Sequence, residues 1–187
     1  MAKYKRYRKY TRRNRTRWSS NIIDVGPSDF VLTNPEGWNS TEVTLITNPD
    51  YSSALTSNLY TIKNVEVSIN FDTDYAGTND PKGIENLQFY IMYVPQSMYV
   101  GQDYAIKHPE YIMAMRYYGE PGQETTQNLN GLAQFTYAPS LKIKTRLSRK
   151  LNTGDRIILF IRAANTTNNA TIKTTFGGLC RWWTKAN

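Results

Sequence analysis

Between Tyr60 and Phe71 the chain reads YTIKNVEVSINF. Val65, Val67, Ile69 and Phe71 take alternate places, and Lys63, Asn64, Glu66, Ser68 and Asn70 supply the polar ones; Ile62 stands outside the pattern. Successive side chains of a strand point to opposite faces, so this stretch has one face for a core and one for water. A helix, with its period of 3.6, cannot use such a pattern. The clearest element in the chain is therefore a half-buried β-strand, and the rest has to supply a sheet for it.

The neighbouring segments do so. Trp18 to Val25 reads as a short strand stopped by Gly26-Pro27, with Asp29–Thr33 resuming beyond a bend. Thr41–Thr47 follows the turn Asn34-Pro35-Glu36-Gly37, and residues 50–58 read as loop. Leu87–Val94 (LQFYIMYV) is almost wholly apolar or aromatic, as in a strand buried on both faces, and Pro95 ends it. Aromatics and flanking turn signals make Tyr111–Tyr118 a strand, and 119–131 is polar loop. Leu132–Tyr137, Leu141–Leu147, Arg156–Ala163 and Thr171–Thr184 complete the series, the last with an expected bulge at Gly177-Gly178.

Charge is distributed very unevenly along these elements. The first seventeen residues, MAKYKRYRKYTRRNRTR, hold nine basic side chains and no acid. The whole chain has 23 Lys+Arg and 15 Asp+Glu, so residues 18–187 keep 14 basic against 15 acidic groups and are nearly neutral. The formal charge of +8 belongs to the arm. So charged a segment, with so few aliphatic side chains, cannot bury enough apolar surface to offset its ordering entropy, and it reads as disordered when free. It calls for a polyanion, and nucleic acid is the usual one. Lys3, Lys5, Arg6, Arg8, Lys9, Arg12, Arg13, Arg15 and Arg17 can neutralise phosphates. Tyr4, Tyr7 and Tyr10, spaced three apart among them, can stack on unpaired bases, as single-stranded nucleic acid requires. The same run has the composition of a nuclear-localisation patch.

Two further groups are candidates. Along Leu141–Leu147 the residues Leu141, Ile143, Thr145 and Leu147 point one way and Lys142, Lys144 and Arg146 the other, a basic stripe suited either to phosphate contact or to a solvated outer face. Near the C-terminus Cys180, Trp182 and Thr184 share one face, and Leu179, Arg181 and Trp183 the other. The first face is the less polar, so Trp182 is expected in the core. Trp183 then lies nearer the surface as a candidate subunit contact.

Other classes of function find little support. A single histidine, His108, and a single cysteine, Cys180, leave no material for the ordinary zinc clusters or a Ser-His-Asp or Cys-His site. Asp72, Asp74, Asn79 and Asp80 resemble a calcium-loop fragment but lack its spacing and terminal Glu. Phosphate loops and nucleophile elbows are missing, so the expectation is a non-enzyme with no metal and no cofactor. No apolar run suits a signal peptide or a membrane span.

Many short antiparallel strands, long polar loops and a basic arm suggest an all-β fold. The expected form is a single jelly-roll sandwich of two four-stranded antiparallel sheets over residues 18–187, preceded by the arm at 1–17. Here the sequence resembles the capsid protein of small circular single-stranded DNA viruses, the circovirus and nanovirus relatives. The start MAKYKRYRKYTRRNRTRW, the strand YTIKNVEVSINF and the ending DRIILFIRA…ATIKTTFGGLCRWW carry the likeness by order and spacing. This arm is shorter than the usual circovirus arm, so nanovirus-like and satellite-virus capsids stay open beside it. The resemblance implies a coat protein that self-assembles into an icosahedral T=1 shell of about 60 subunits. Its partners would be copies of itself, a single-stranded DNA genome against the arm, and host nuclear import factors. It would reside in the virion and, during assembly, in the host nucleus. The alternative reading is a non-capsid single-stranded nucleic-acid-binding protein with an OB-like or ribosomal-type domain.

Overall fold

In the structure, a computed structural model, the described residues are 18–32, 37–48, 60–74, 84–118, 125–127, 133–135, 140–165 and 172–186. They form strands β1 (Ser19–Leu32), β2 (Trp38–Thr47), β3 (Tyr60–Asp74), β4 (Ile84–Val94), β5 (Ile112–Tyr118), β6 (Thr125–Gln127), β7 (Ala133–Phe135), β8 (Ser140–Lys144), β9 (Ser148–Leu151), β10 (Arg156–Asn165) and β11 (Ile172–Ala186). One short helix, α1 (Tyr104–Lys107), and a 3-10 turn at Pro109–Tyr111 separate β4 from β5.

The protein is an all-β sandwich. One sheet runs β1-β11-β3-β8, with β9 also on β3; the other runs β2-β10-β4-β5, and β6 pairs with β7 in a small ribbon. Every pairing is antiparallel. The expectation of two four-stranded sheets needs one correction. Thr145 leaves the ladder, and Ser148–Leu151 returns as β9 against Tyr60–Lys63, so β8 and β9 share one edge of β3 and the first sheet has five strands.

Between the sheets lies a core that includes Val65, Val67 and Ile69 of β3, Leu87, Phe89 and Ile91 of β4, and Ile157, Leu159 and Ile161 of β10. Each fully buried aliphatic side chain contributes about 1.5–3 kcal/mol relative to exposure, which makes this layer the main stabilising term. The alternate residues of β4 and β10 are buried too. Tyr90, Met92, Val94, Ile158 and Phe160 form a second cluster with Tyr104 and Ala105 of α1. That is why LQFYIMYV carries no polar face: one side meets the opposite sheet and the other is roofed by the segment after Pro95.

A polar knot fixes that roof. The buried Asp155 carboxylate accepts hydrogen bonds from the Tyr93 hydroxyl at 2.7 Å, the Gln96 amide at 3.0 Å and the Asn152 amide at 2.8 Å. Beside it, buried Asn48 donates from Nδ2 to the Leu151 carbonyl at 3.0 Å. The end of β2, the β9–β10 turn and the exit of β4 are thereby tied together.

Irregularities sit where the sequence pattern breaks. Gly26-Pro27 does not stop the first strand; β1 runs through it, with both residues opposite the single residue Gly177. The extra residue therefore lies on β1, and not at Gly177-Gly178 as expected. Gly26 has φ +80, and a Cβ there would meet the Phe176 carbonyl oxygen at 2.6 Å. Gly178 is required for a different reason: a Cβ would collide with the Ser68 backbone on β3. A second bulge sets Asn64 and Val65 opposite Trp182, with Asn64 at φ 52. This bulge is the physical meaning of Ile62 falling outside the alternation. The extra residue brings Ile62 and Val65 to the same face, and both are fully buried.

Other boundaries differ modestly. β2 begins at Trp38 rather than Thr41, the tail of β11 reaches Ala186, and β5 starts at Ile112 because Tyr111 closes the 3-10 turn. The polar segment 119–131 contains β6, and residues 50–58 lie outside the described residues.

Candidate nucleic-acid interface

The arm residues Lys3, Tyr4, Lys5, Arg6, Tyr7, Arg8, Lys9, Tyr10, Arg12, Arg13, Arg15 and Arg17 lie outside the described residues. The structure does describe where the arm joins the fold. Trp18 leads straight into β1, at one edge of the five-stranded sheet, and the Lys63 ammonium of β3 sits 3.9 Å from the Trp18 ring centroid.

The basic stripe is brought together in part. In β8 Leu141 and Ile143 are buried while Lys142 and Lys144 point outward, as the alternation predicts. Arg146 is exposed but lies past the strand end, so it is not a third rung. Leu147, expected on the buried face, is exposed; the ladder ends at Lys144, and the Leu147 amide donates to Thr145 Oγ1 instead.

What the sequence did not reveal is the counter-charge. Glu66 stands directly opposite Lys144 across the β3–β8 ladder, one row from Lys142. It accepts from Lys142 Nζ at 2.8 Å and from Lys144 Nζ at 3.3 Å. The Lys142 hydrogen bond, supported by Lys144, holds the Glu66 carboxyl below its ordinary value of 4.5, against a smaller desolvation effect. The carboxylate therefore stays charged at any pH above that value, and the two lysines are partly neutralised at neutral pH. Glu66→Gln is expected to release both ammonium groups toward phosphate. The slope of log affinity against log salt for single-stranded DNA should steepen by up to about 0.7, one phosphate's share. An unchanged slope would show that β8 does not touch the nucleic acid.

Trp182 and Trp183 separate as their alternation predicts. Trp182 is 8% exposed and packs in the main core beside fully buried Cys180. Trp183 is half-buried on the outward face, with the Arg181 guanidinium 4.7 Å from its ring centroid. Trp183 sits opposite Ser20 on one side and Lys63 on the other, in the interior of the sheet rather than at an edge.

The opposite side of the molecule carries an aromatic cluster built from the segment between β4 and β5. His108 stacks at 5.5 Å on Tyr111, packs at 4.9 Å on Tyr104 and meets Glu110 at 3.3 Å. Burial pushes the Tyr104 hydroxyl up to about 12 and raises that of Tyr93, which also donates to Asp155. Arg162, buried, stacks 3.8 Å from the Trp38 ring centroid and bonds Asp103 at 3.3 Å. These contacts close the roof over β4 and β10. The Asp155 carboxylate already accepts three hydrogen bonds, and burial pushes the Cys180 thiol up to about 12, away from the thiolate form.

Among the described residues no group of three or more His, Cys, Asp or Glu could hold a metal ion, and no helix is long and apolar enough to cross a membrane. Asn79 and Asp80 of the calcium-like fragment lie outside those residues.

No family model matches the chain, and no curated protein does. Among solved structures it is similar to a CocE/NonD family hydrolase from Staphylococcus aureus at 7% identity and a TM-score of 0.39, over 90% of this chain and 33% of that one. The chain thus spans about a third of that protein's length, and a likeness this distant carries no argument about function.

Proposed function

We propose that the protein is a viral coat subunit that self-assembles into a small icosahedral shell and packages single-stranded DNA through its N-terminal arm. The observation that carries the reading is the attachment of the whole net positive charge of the chain, as a seventeen-residue arm, to one edge of a near-neutral β-sandwich. A protein that bound nucleic acid as a monomer would be expected to have a folded body with a net positive charge, whereas residues 18–187 hold 14 basic against 15 acidic groups. A shell subunit instead needs a neutral body, so that many copies can pack side by side, and a cationic tether for the contents.

The strand order supports the same reading. Successive strands β1, β2, β3 and β4 alternate between the two sheets, and β10 and β11 return to sit inside them, next to β2 and between β1 and β3. We read this order as that of a jelly roll, an architecture used by viral capsid domains as well as by lectins and cupins. Tyr99 at 87% and Ile106 at 59% exposure stand out from the roof, and Met115 and Tyr117 of edge strand β5 are also exposed. Apolar and aromatic side chains so placed suit burial between subunits. The arm, rich in Lys and Arg, would also serve as the import signal for assembly in the host nucleus.

Negative-stain microscopy of the purified full chain is expected to show closed spherical particles. Monomers or dimers at every concentration and salt would overturn the shell, and would favour a free single-stranded nucleic-acid-binding protein.

A further inference from the structure

We infer that the outward face of the five-stranded sheet, at the end where the arm joins it, is a stacking platform for unpaired bases. Trp18 and Trp183 are the rings, and single-stranded nucleic acid is the ligand. The inference rests on the nucleic-acid reading above and says where on the folded body the bases lie.

Register places the parts. Ser20, Trp183, Lys63 and Ser148 form one row across β1, β11, β3 and β9, and Ile22, Arg181, Glu66 and Lys144 form another across β1, β11, β3 and β8. Trp18 stands just before β1, and the Lys63 ammonium lies against its ring. Two half-buried indoles thus flank one lysine, and each ring has its own cation, at 3.9 Å for Lys63 and 4.7 Å for Arg181.

A cation beside a half-exposed aromatic ring is the pairing single-stranded nucleic acid uses, with the base on the ring and its phosphate on the charge. Between the Lys185 and Leu179 rows this face carries Lys63, Lys142, Lys144, Lys150, Arg181 and Lys185, against the carboxylates Glu66 and Asp24. The surplus is positive although the body as a whole is not. The residue before Trp18 is the last arginine of the arm, so a strand held by the arm is delivered to this patch.

The competing occupant is a second copy of the chain. Two such faces would set cations against cations, and Trp183 lies mid-sheet, where a side-by-side neighbour does not reach. Charge complementarity therefore selects the polyanion.

The test follows the tryptophan fluorescence of the full chain, stripped of nucleic acid, as oligo(dT) is added at stepped salt concentrations. Binding should quench the emission. Trp18→Ala and Trp183→Ala should each weaken affinity about 10-fold with the salt slope unchanged, because stacking releases no counterions. Trp183→Phe should restore most of the loss, and an unchanged melting temperature in the Ala variants should exclude misfolding as its cause. Affinity unchanged in both Ala variants, with the steep salt slope intact, would overturn the platform and leave the arm reading standing. No binding by the unsubstituted chain would overturn both. Normal DNA affinity with failed particle assembly in Trp183→Ala would give the ring to a subunit contact and likewise overturn the platform.

Discussion

A chain lacking residues 1–17 is expected to fold as before and to lose most of its affinity for single-stranded DNA. The arm supplies nine cations, and each neutralised phosphate adds roughly 0.7 to the salt slope, so the full chain should approach a slope of about −6. At moderate salt the truncation should then cost about three orders of magnitude in affinity. The body should keep a shallow slope from the outward lysines of the five-stranded sheet, reduced by the Glu66 pairs. The fold should survive because β1 is paired with β11 along its whole length, from Ser19 to Leu32. Fluorescence anisotropy across a salt series, with thermal denaturation as the check on folding, measures both. A truncated chain with the slope of the full one would remove the arm from the nucleic-acid site.

The contrast between arm and body was legible because charge and periodicity are local properties of sequence. The alternation in Tyr60–Phe71 locates β3, and the apolar run Leu87–Val94 correctly announces burial on two faces. Register is not local, and most of what was missed depends on it. Ile62 looked like an exception to a pattern until the bulge at Asn64-Val65 showed that it belongs to the core. Gly26-Pro27 looked like a stop, because nothing in its neighbours announces Gly177 more than a hundred residues later as its partner. The stripe on β8 was visible as lysines, but its neutraliser, Glu66, comes from another strand, so its counter-charge appeared only with the ladder. The same holds for Lys63 over Trp18, a contact between residues that share no local motif. Alternation did separate Trp182 from Trp183, because adjacent strand residues face opposite ways whatever their partners are.

That separation sets the second large expected effect. Trp182→Ala should destabilise the folded chain by about 3–5 kcal/mol, the cost of a large aromatic side chain removed from a close-packed core. For a chain of this size that corresponds to a fall in melting temperature of roughly 6–20 °C. One feature moderates the loss. Trp182 Nε1 is buried with no hydrogen-bond partner among the described residues, and an unsatisfied buried donor costs about 1–3 kcal/mol. Trp182→Phe removes that donor while keeping most of the ring, so the small cavity it leaves should be largely offset, and the change should stay within about 1 kcal/mol. Trp183→Ala, by contrast, truncates a half-exposed ring on the outer face and should leave the melting temperature of the monomeric chain nearly unchanged. Thermal denaturation of the three variants as monomers decides the matter. Equal losses for Trp182→Ala and Trp183→Ala would mean that both rings support the subunit fold. The outward face would then be structural, and neither a base nor a neighbouring subunit would be needed to account for Trp183.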